Sequence, residues 1–320
     1  MESHYLFRTL ARTGLVGIAL FGIAAVAQTT TPPAAQAAPK SAARTAAAGT
    51  APKPLHALPD TLAAIKAARQ IDVAFSGDSL PFSLVGEGNR PAGYSIDLCK
   101  RVIAHLGRVV GVPDLKVNWL VGTAAERVDM VASGKAQLDC ANTTASRTRM
   151  KSVDFSSLVF LDGGGIMVKS AASIQKFTDL AGKRIGVIAG TTTEARLDAM
   201  LAQKLINAKV TRLKDGNEGV AMLESDSLDA FASDKIKLIG LAVQAKHPEE
   251  LAMMQEDLSI EPIAFGLPRN DSAFRLEVNT ALTQVYLGGE INAIFTQWFG
   301  TLGRPSGLLA AMYLLNSLPE

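Results

Sequence analysis

The sequence predicts an α/β protein of two lobes, each a mostly parallel sheet flanked by helices, with two extended strands crossing between them. Three observations carry this reading. Strand and helix patterns alternate from residue 71 to 141; the alternation begins afresh at residue 184; and extended runs at 160–166 and 258–264 bracket the second set, as a hinge would. A chain of 320 residues has material for two such bodies.

The N-terminus carries Arg8 and Arg12, then a twelve-residue apolar run from Leu15 to Val26 and the small triplet Ala25-Val26-Ala27. This pattern predicts a secretory signal, residues 1–27, cleaved after Ala27. An uncleaved anchor is the other reading, but the run falls short of the ~20 apolar residues a spanning helix needs. No cysteine stands near the cleavage point to accept a lipid. Residues 28–58 are almost wholly Ala, Thr, Pro and Lys up to Pro54 and bury too little to repay ordering, so a disordered tether is expected. Lobe one is then expected over 59–162 and 259–320, and lobe two over 163–258.

Asp60 caps a short helix with Leu62, Ile65 and Ala68 on one face, ahead of a strand at 71–75. The stretch 77–82, Gly-Asp-Ser-Leu-Pro-Phe, reads as a loop. Ile96, Leu98, Val102, Ile103 and Leu106 recur at helical spacing over 94–106 and put Cys99 on or beside the buried face. A strand at 116–121, a helix at 124–133 and a strand at 136–141 complete the first set. The run 159–168 is extended at both ends and interrupted by Gly163, Gly164 and Gly165, which suits rotational freedom between modules or a plain turn. The second set has strands at 184–188, 209–213 and 228–232, with helices from Thr192 and over 218–224. After a further extended run at 253–266, Phe274, Val278, Ala281, Leu282, Val285 and Tyr286 mark a helix from about Asp271. The tail, 304–320, bears a helical apolar stripe expected to pack on lobe one.

Composition excludes some functions. A net charge of +2 with no basic block does not steer the chain to nucleic acid. There is no Gly-Lys-Ser/Thr phosphate loop, no Gly-x-Ser-x-Gly elbow and no His-Glu-x-x-His. Cys99 and Cys140 are the two cysteines; in an oxidising compartment an even count favours a disulfide, with two buried thiols as the alternative. Neither they nor His56, His105 and His247 have metal-ligand spacing, so no metal and no cofactor is expected.

Four strand ends are polar instead, where open α/β sheets bind ligands. At 140–156, Asn142 and Thr144 offer hydrogen bonds and Arg149 offers the planar fork that grips a carboxylate, while Arg147 reads as surface charge. At 189–195, Thr191 and Glu194 form a capping box at a helix start that attracts anions, and Thr192 adds a hydroxyl; plain capping fits these residues equally. Asp234, just past a strand, either pairs with a ligand ammonium or is solvated. Phe82 is either an apolar wall of the site or ordinary core, with Ser79 beside it as a hydrogen-bonding group.

Four strings, GYSIDLCKRV (93–102), LDCANTTASRTRMKSVDFS (138–156), FTDLAGKRIGVIAGTTTEARL (177–197) and GGEINAIFTQWFG (288–300), occur in an order and spacing that resembles the family 3 periplasmic solute-binding proteins, receptors of amino-acid ABC importers, with the glutamate/aspartate branch the nearest. The resemblance implies the type II binding-protein fold with a two-strand hinge. It also implies a monomer in the periplasm that hands a free amino acid to a membrane permease. By it, Arg149 matches the residue holding the α-carboxylate, with Asn142, Thr144 and Thr192 assisting, and Asp234 matches the partner of the α-ammonium. Arg127 matches one of two arginines around the side-chain carboxylate in the acidic branch. Ser76 stands where the other would be, and Gly216 where that branch has a histidine, so polar or larger ligands are as compatible as acidic ones. Some proteins of this fold are cyclohexadienyl dehydratases; that chemistry needs a proton donor, and near Asp234 the sequence shows Lys235 and Lys237 rather than a second carboxyl.

Overall fold

In the computed structural model, residues 60–300 and 303–319 are described. The expected signal peptide and the expected tether lie outside them. No helix among the described residues is long and apolar enough to cross a membrane.

Helix α1 (Thr61–Ala68) starts where Asp60 accepts from the Ala63 N–H, and it buries Ile65 ahead of β1 (Gln70–Phe75). The stretch expected as a loop is more ordered: β2 (Asp78–Ser79), β3 (Ser83–Val85) and β4 (Pro91–Ala92) make a small antiparallel sheet. Then come α2 (Tyr94–Val109), β5 (Lys116–Val121), α3 (Ala124–Ala132) and the two-residue β6 (Leu138–Asp139), with β5 and β6 flanking β1 in parallel.

The first crossing is β7 (Asp154–Lys169), sixteen residues without interruption. Beyond it lie β8 (Arg184–Ile188), α4 (Thr192–Gln203), β9 (Lys209–Leu213), α5 (Gly216–Glu224), β10 (Ala230–Asp234), α6 (Lys235–Val243) and β11 (Leu251–Met253). The return crossing, β12 (Ser259–Leu267), pairs antiparallel with β7 from Ser259↔Gly164 to Leu267↔Asp154. Helices α7 (Ser272–Leu287), α8 (Glu290–Phe299) and α9 (Gly307–Leu315) close the chain onto lobe one. The main sheet runs β5-β1-β6-β12-β7-β10-β8-β9; β5-β1-β6 and β10-β8-β9 pair in parallel, and the crossing strands β12 and β7 pair antiparallel with each other and with the neighbours β6 and β10.

The three glycines therefore do not interrupt the first crossing; their role is close packing. A Cβ on Gly164 would stand 2.3 Å from Ser259 Oγ, and one on Gly165 would stand 2.7 Å from Lys235 Cγ. Lobe one has its own core, in which the α7 stripe and Leu309, Met312 and Tyr313 of α9 join Phe82, Tyr94 and Phe160. Lobe two buries alternate strand residues on both sheet faces: Ile166, Val168, Ala230 and Ala232 on one, Met167 and Phe231 on the other.

Candidate functional site

The cleft between the lobes is a cavity of about 380 Å³, within the usual span of small-ligand pockets. Chain exits from both lobes converge on it. In lobe one, β6 ends at Asp139 and the next residue, Cys140, is disulfide-bonded to Cys99 of α2. That tie holds the exit from which Asn142 and Thr144 project, and Thr144 is further held by a bridge to Ile263 of β12. Arg149 opens a short 3-10 turn and donates from its guanidinium to the Thr144 carbonyl at 3.0 Å. It makes no ion pair among the described residues, and its burial lowers its pKa from the usual arginine value.

In lobe two, Asp234 is the last residue of β10 and the residue preceding α6. Its Oδ2 accepts from Asn142 Nδ2 at 2.8 Å, across the cleft, and its Oδ1 accepts from Thr193 Oγ1 at 3.2 Å. Thr191 caps α4, accepting from the Glu194 N–H at 3.1 Å and donating to the Ile188 carbonyl at 2.8 Å. Thr192, one residue inside, donates to Glu261 Oε2 at 2.8 Å and lies 3.2 Å from Thr144 Oγ1.

The structure thus brings Asn142, Thr144, Arg149, Thr191, Thr192, Asp234, Arg127 and Ser76 to one cavity wall. Phe82 is not among them. It is fully buried against the rings of Tyr94, Phe160 and Phe299, 5.0 to 6.2 Å away, because the chain folds it down into lobe one; it is core, not a wall of the cleft. Arg127 lines the cavity with its charge already matched: Nε donates to Asp139 Oδ1 at 2.9 Å, and the terminal nitrogens donate to the Gly122 carbonyl and Thr143 Oγ1. Ser76 bonds Ser79 Oγ at 2.8 Å and Asp78 Oδ1 at 2.9 Å.

Sequence reasoning missed three acids here. Glu261, 1% exposed, accepts from Thr144 at 2.7 Å, from Thr192, and from Ser259. A lone glutamate in the apolar run Ile-Glu-Pro-Ile-Ala-Phe was the available signal. Asp162, on β7, accepts from the N–H groups of its neighbour Gly163 and of Ile236 in α6. Asp78 pairs with Lys237 at 2.9 Å, and a buried lysine inside the apolar helix α6 is the sign of such a partner. The region around Asp234 therefore does hold further carboxyls, in correction of the expectation that only lysines stood nearby.

These acids perturb one another. Burial, then the charge of Asp234, pushes the Asp162 carboxyl well above the usual range, and burial, then the charge of Glu261, raises Asp234. Asp78 goes the other way: burial pulls its pKa upward, but the Lys237 ammonium, the Gly216 amide and Ser76 together outweigh it and bring the value to about 2. The cleft thus offers an arginine on one lobe and Asp234 on the other, with Asp162 and Glu261 of the crossing strands adding negative charge beside Asp234.

Comparison with known proteins agrees with this architecture. The model of bacterial extracellular solute-binding proteins, family 3, matches residues 71–301. The L-glutamate/L-aspartate-binding protein of Pseudomonas aeruginosa is 35% identical over 269 residues, which span 84% of this chain and 89% of that one. The glutamate/aspartate import solute-binding protein of Escherichia coli is 28% identical over 229 residues, 72% of this chain and 76% of that one. Among solved structures, an ancestral arginine-binding protein bound to glutamine superposes with a TM-score of 0.65 at 27% identity, over 72% of this chain and 98% of its own. The ancestral amino-acid-binding protein AncCDT-1, a precursor of cyclohexadienyl dehydratase, gives 0.64 at 25% identity, over 75% and 99%.

Proposed function

We propose that this chain, which belongs to the bacterial extracellular solute-binding proteins of family 3, captures a free polar or acidic L-amino acid between its lobes in the periplasm and delivers it, as a monomer, to the permease of an ABC importer. The observation that carries this reading is that Arg149 of lobe one and Asp234 of lobe two line one cavity with opposite charge. A zwitterion laid between them gives its carboxylate to the guanidinium fork and its ammonium to a buried acid that has excess negative charge around it. Asn142, Thr144 and Thr192 complete the hydrogen bonds. We divide the lobes at 162/163 and 258/259, inside the paired crossing strands, so that closure is a rotation about β7 and β12.

The mechanism is binding by population shift. A ligand touching both lobes stabilises the arrangement in which they meet, by as much as its affinity for that arrangement exceeds its affinity for a separated one. Micromolar capture needs about 8 kcal/mol in all, within reach of one carboxylate clamp and one ammonium pair after ordering costs. The relatives named above are binding proteins, and we expect no turnover of prephenate or arogenate.

A thermal-shift screen of the common amino acids tests the proposal. A ligand at a hundred times its dissociation constant adds about 2.7 kcal/mol of stability. A flat response to every amino acid would remove the reading.

A further inference from the structure

One end of the cleft is occupied by a carboxylate of the protein itself. Asp78, from the small sheet of lobe one, accepts at Oδ2 from Lys237 Nζ at 2.9 Å and from the Gly216 N–H at 3.0 Å, and at Oδ1 from Ser76 Oγ at 2.9 Å. Lys237 and Gly216 belong to lobe two, so a single anion is held by donors from both sides of the cleft. The fit is close. A Cβ on Gly216 would stand 2.6 Å from Leu241 Cδ1 and 3.0 Å from Lys237 Cε, so glycine lets the lysine stem lie against the start of α5. Lys237 is 6% exposed, and a cation so buried requires a partner.

The charge balance of the cleft follows. Arg127 is neutralised by Asp139, and Lys237 by Asp78. Arg149 is the remaining cation in the cavity wall that is sheltered from solvent, and the proposed function assigns it to the α-carboxylate. Lys214 also lines the cavity, but it is solvent-exposed and its charge is screened. A second carboxylate on the ligand would therefore meet no uncompensated sheltered cation, and it would approach Asp78, which is ionised at any working pH because its pKa lies near 2. A cationic side chain fares no better, since Asp78 is already matched and a second ammonium would stand beside the first.

We infer that the cleft selects amino acids with an uncharged polar side chain, and that Asp78 is the specificity-determining residue, holding the donors a side-chain carboxylate would otherwise use. The inference rests on the amino-acid reading and narrows it. A side-chain amide or hydroxyl suits the place: it donates to Asp78 and accepts from the Ser and Thr hydroxyls around it. This selectivity differs from that of the glutamate/aspartate-binding relatives, and its cause lies in a pair of residues 159 positions apart.

Isothermal calorimetry on the mature protein at neutral pH decides it, with glutamine, asparagine, glutamate, aspartate, lysine and arginine as ligands. The amides should bind at least about tenfold more tightly than the corresponding acids and than the two bases, since unpaired charge in such a site costs a decade or more. Asp78→Ala frees Lys237 and should shift the glutamine-to-glutamate ratio about tenfold towards glutamate, while Asp78→Asn combined with Lys237→Met, which removes both charges, should keep the wild-type order. Glutamate or aspartate binding the wild type as tightly as its amide would overturn the inference and leave the amino-acid reading standing. Binding of none of the six would remove both. If either variant fails to fold, as its melting curve will show, the wild-type ranking alone decides.

Discussion

Thr144 and Thr192 stand with their hydroxyls 3.2 Å apart, one on each lobe, and both donate to the same oxygen of Glu261 on the return crossing. A single buried carboxylate on the crossing strand thus ties two cavity-lining groups from opposite sides. The contact lives in the packing of the crossing strands, yet it sets the positions of groups assigned here to binding. Glu261→Gln keeps the shape but turns one acceptor into a donor facing a hydroxyl. It should cost about 1 to 3 kcal/mol of unfolding free energy and weaken amino-acid binding as well. Denaturant melts with calorimetry on the same variant check both; unchanged affinity would mean that the tie plays no part in closure.

The clamp assignment makes a sharper demand. Arg149→Ala strands a ligand carboxylate in a sheltered site and should cost about 2 to 5 kcal/mol of binding, with little effect on the melting temperature, because among the described residues the guanidinium makes one hydrogen bond, to the Thr144 carbonyl. Asp234→Asn should weaken amino acids more than their deaminated analogues. Equal losses for both ligand series, measured by calorimetry, would take the ammonium away from Asp234.

How far the sequence could be read depended on the range of the interaction. The α7 stripe, the capping of α4 by Thr191 and the start of each lobe's alternation are local patterns, and they appear in the structure where the spacing puts them. The paired cysteines, 41 residues apart, were legible from compartment and count. Asp78 with Lys237, and Glu261 with Thr144, were not, since a pairing across 159 or 117 residues leaves no periodicity to detect. Phe82 failed for another reason. A phenylalanine beside a strand exit suits a ligand wall and a core equally, and only the surrounding Tyr94, Phe160 and Phe299 decide for the core. The Gly163–165 run misled because glycine marks close approach as often as freedom.

Protonation should report ligand binding. Asp162 and Asp234 both have raised pKa values in the fold, through burial and then a neighbouring carboxylate's charge. An acid whose folded value exceeds its unfolded one adds stability below the unfolded value, and loses that contribution as pH climbs through the folded value. A ligand ammonium reverses the bias by favouring the ionised forms. Amino-acid binding should therefore release protons at pH values just above the ordinary carboxylate range, where the raised acids still hold them, and fewer as pH climbs through their folded values. Calorimetry in two buffers of different ionisation heat measures the release directly. Identical heats in both buffers just above the ordinary carboxylate range would show that the acids are ionised before the ligand arrives.

The crossing strands carry the last prediction. Gly164 lies opposite Ser259 in the β7–β12 ladder, and a Cβ there would fall 2.3 Å from Ser259 Oγ, the atom that donates to Glu261. Gly164→Ala must therefore push that hydroxyl aside, breaking its bond to the hinge carboxylate, at a cost of about 1 to 3 kcal/mol for the overpacking. At Gly163 the nearest atom to a new Cβ is Lys235 Cδ at 3.2 Å, in a flexible side chain that can swing clear, so Gly163→Ala should cost less. The mechanism also requires coupling. Ser259→Ala removes the clashing oxygen, so the double variant should be more stable than the sum of the two single losses, by about 0.5 kcal/mol or more. Additive losses in urea unfolding would place the strain of Gly164→Ala elsewhere than on the serine.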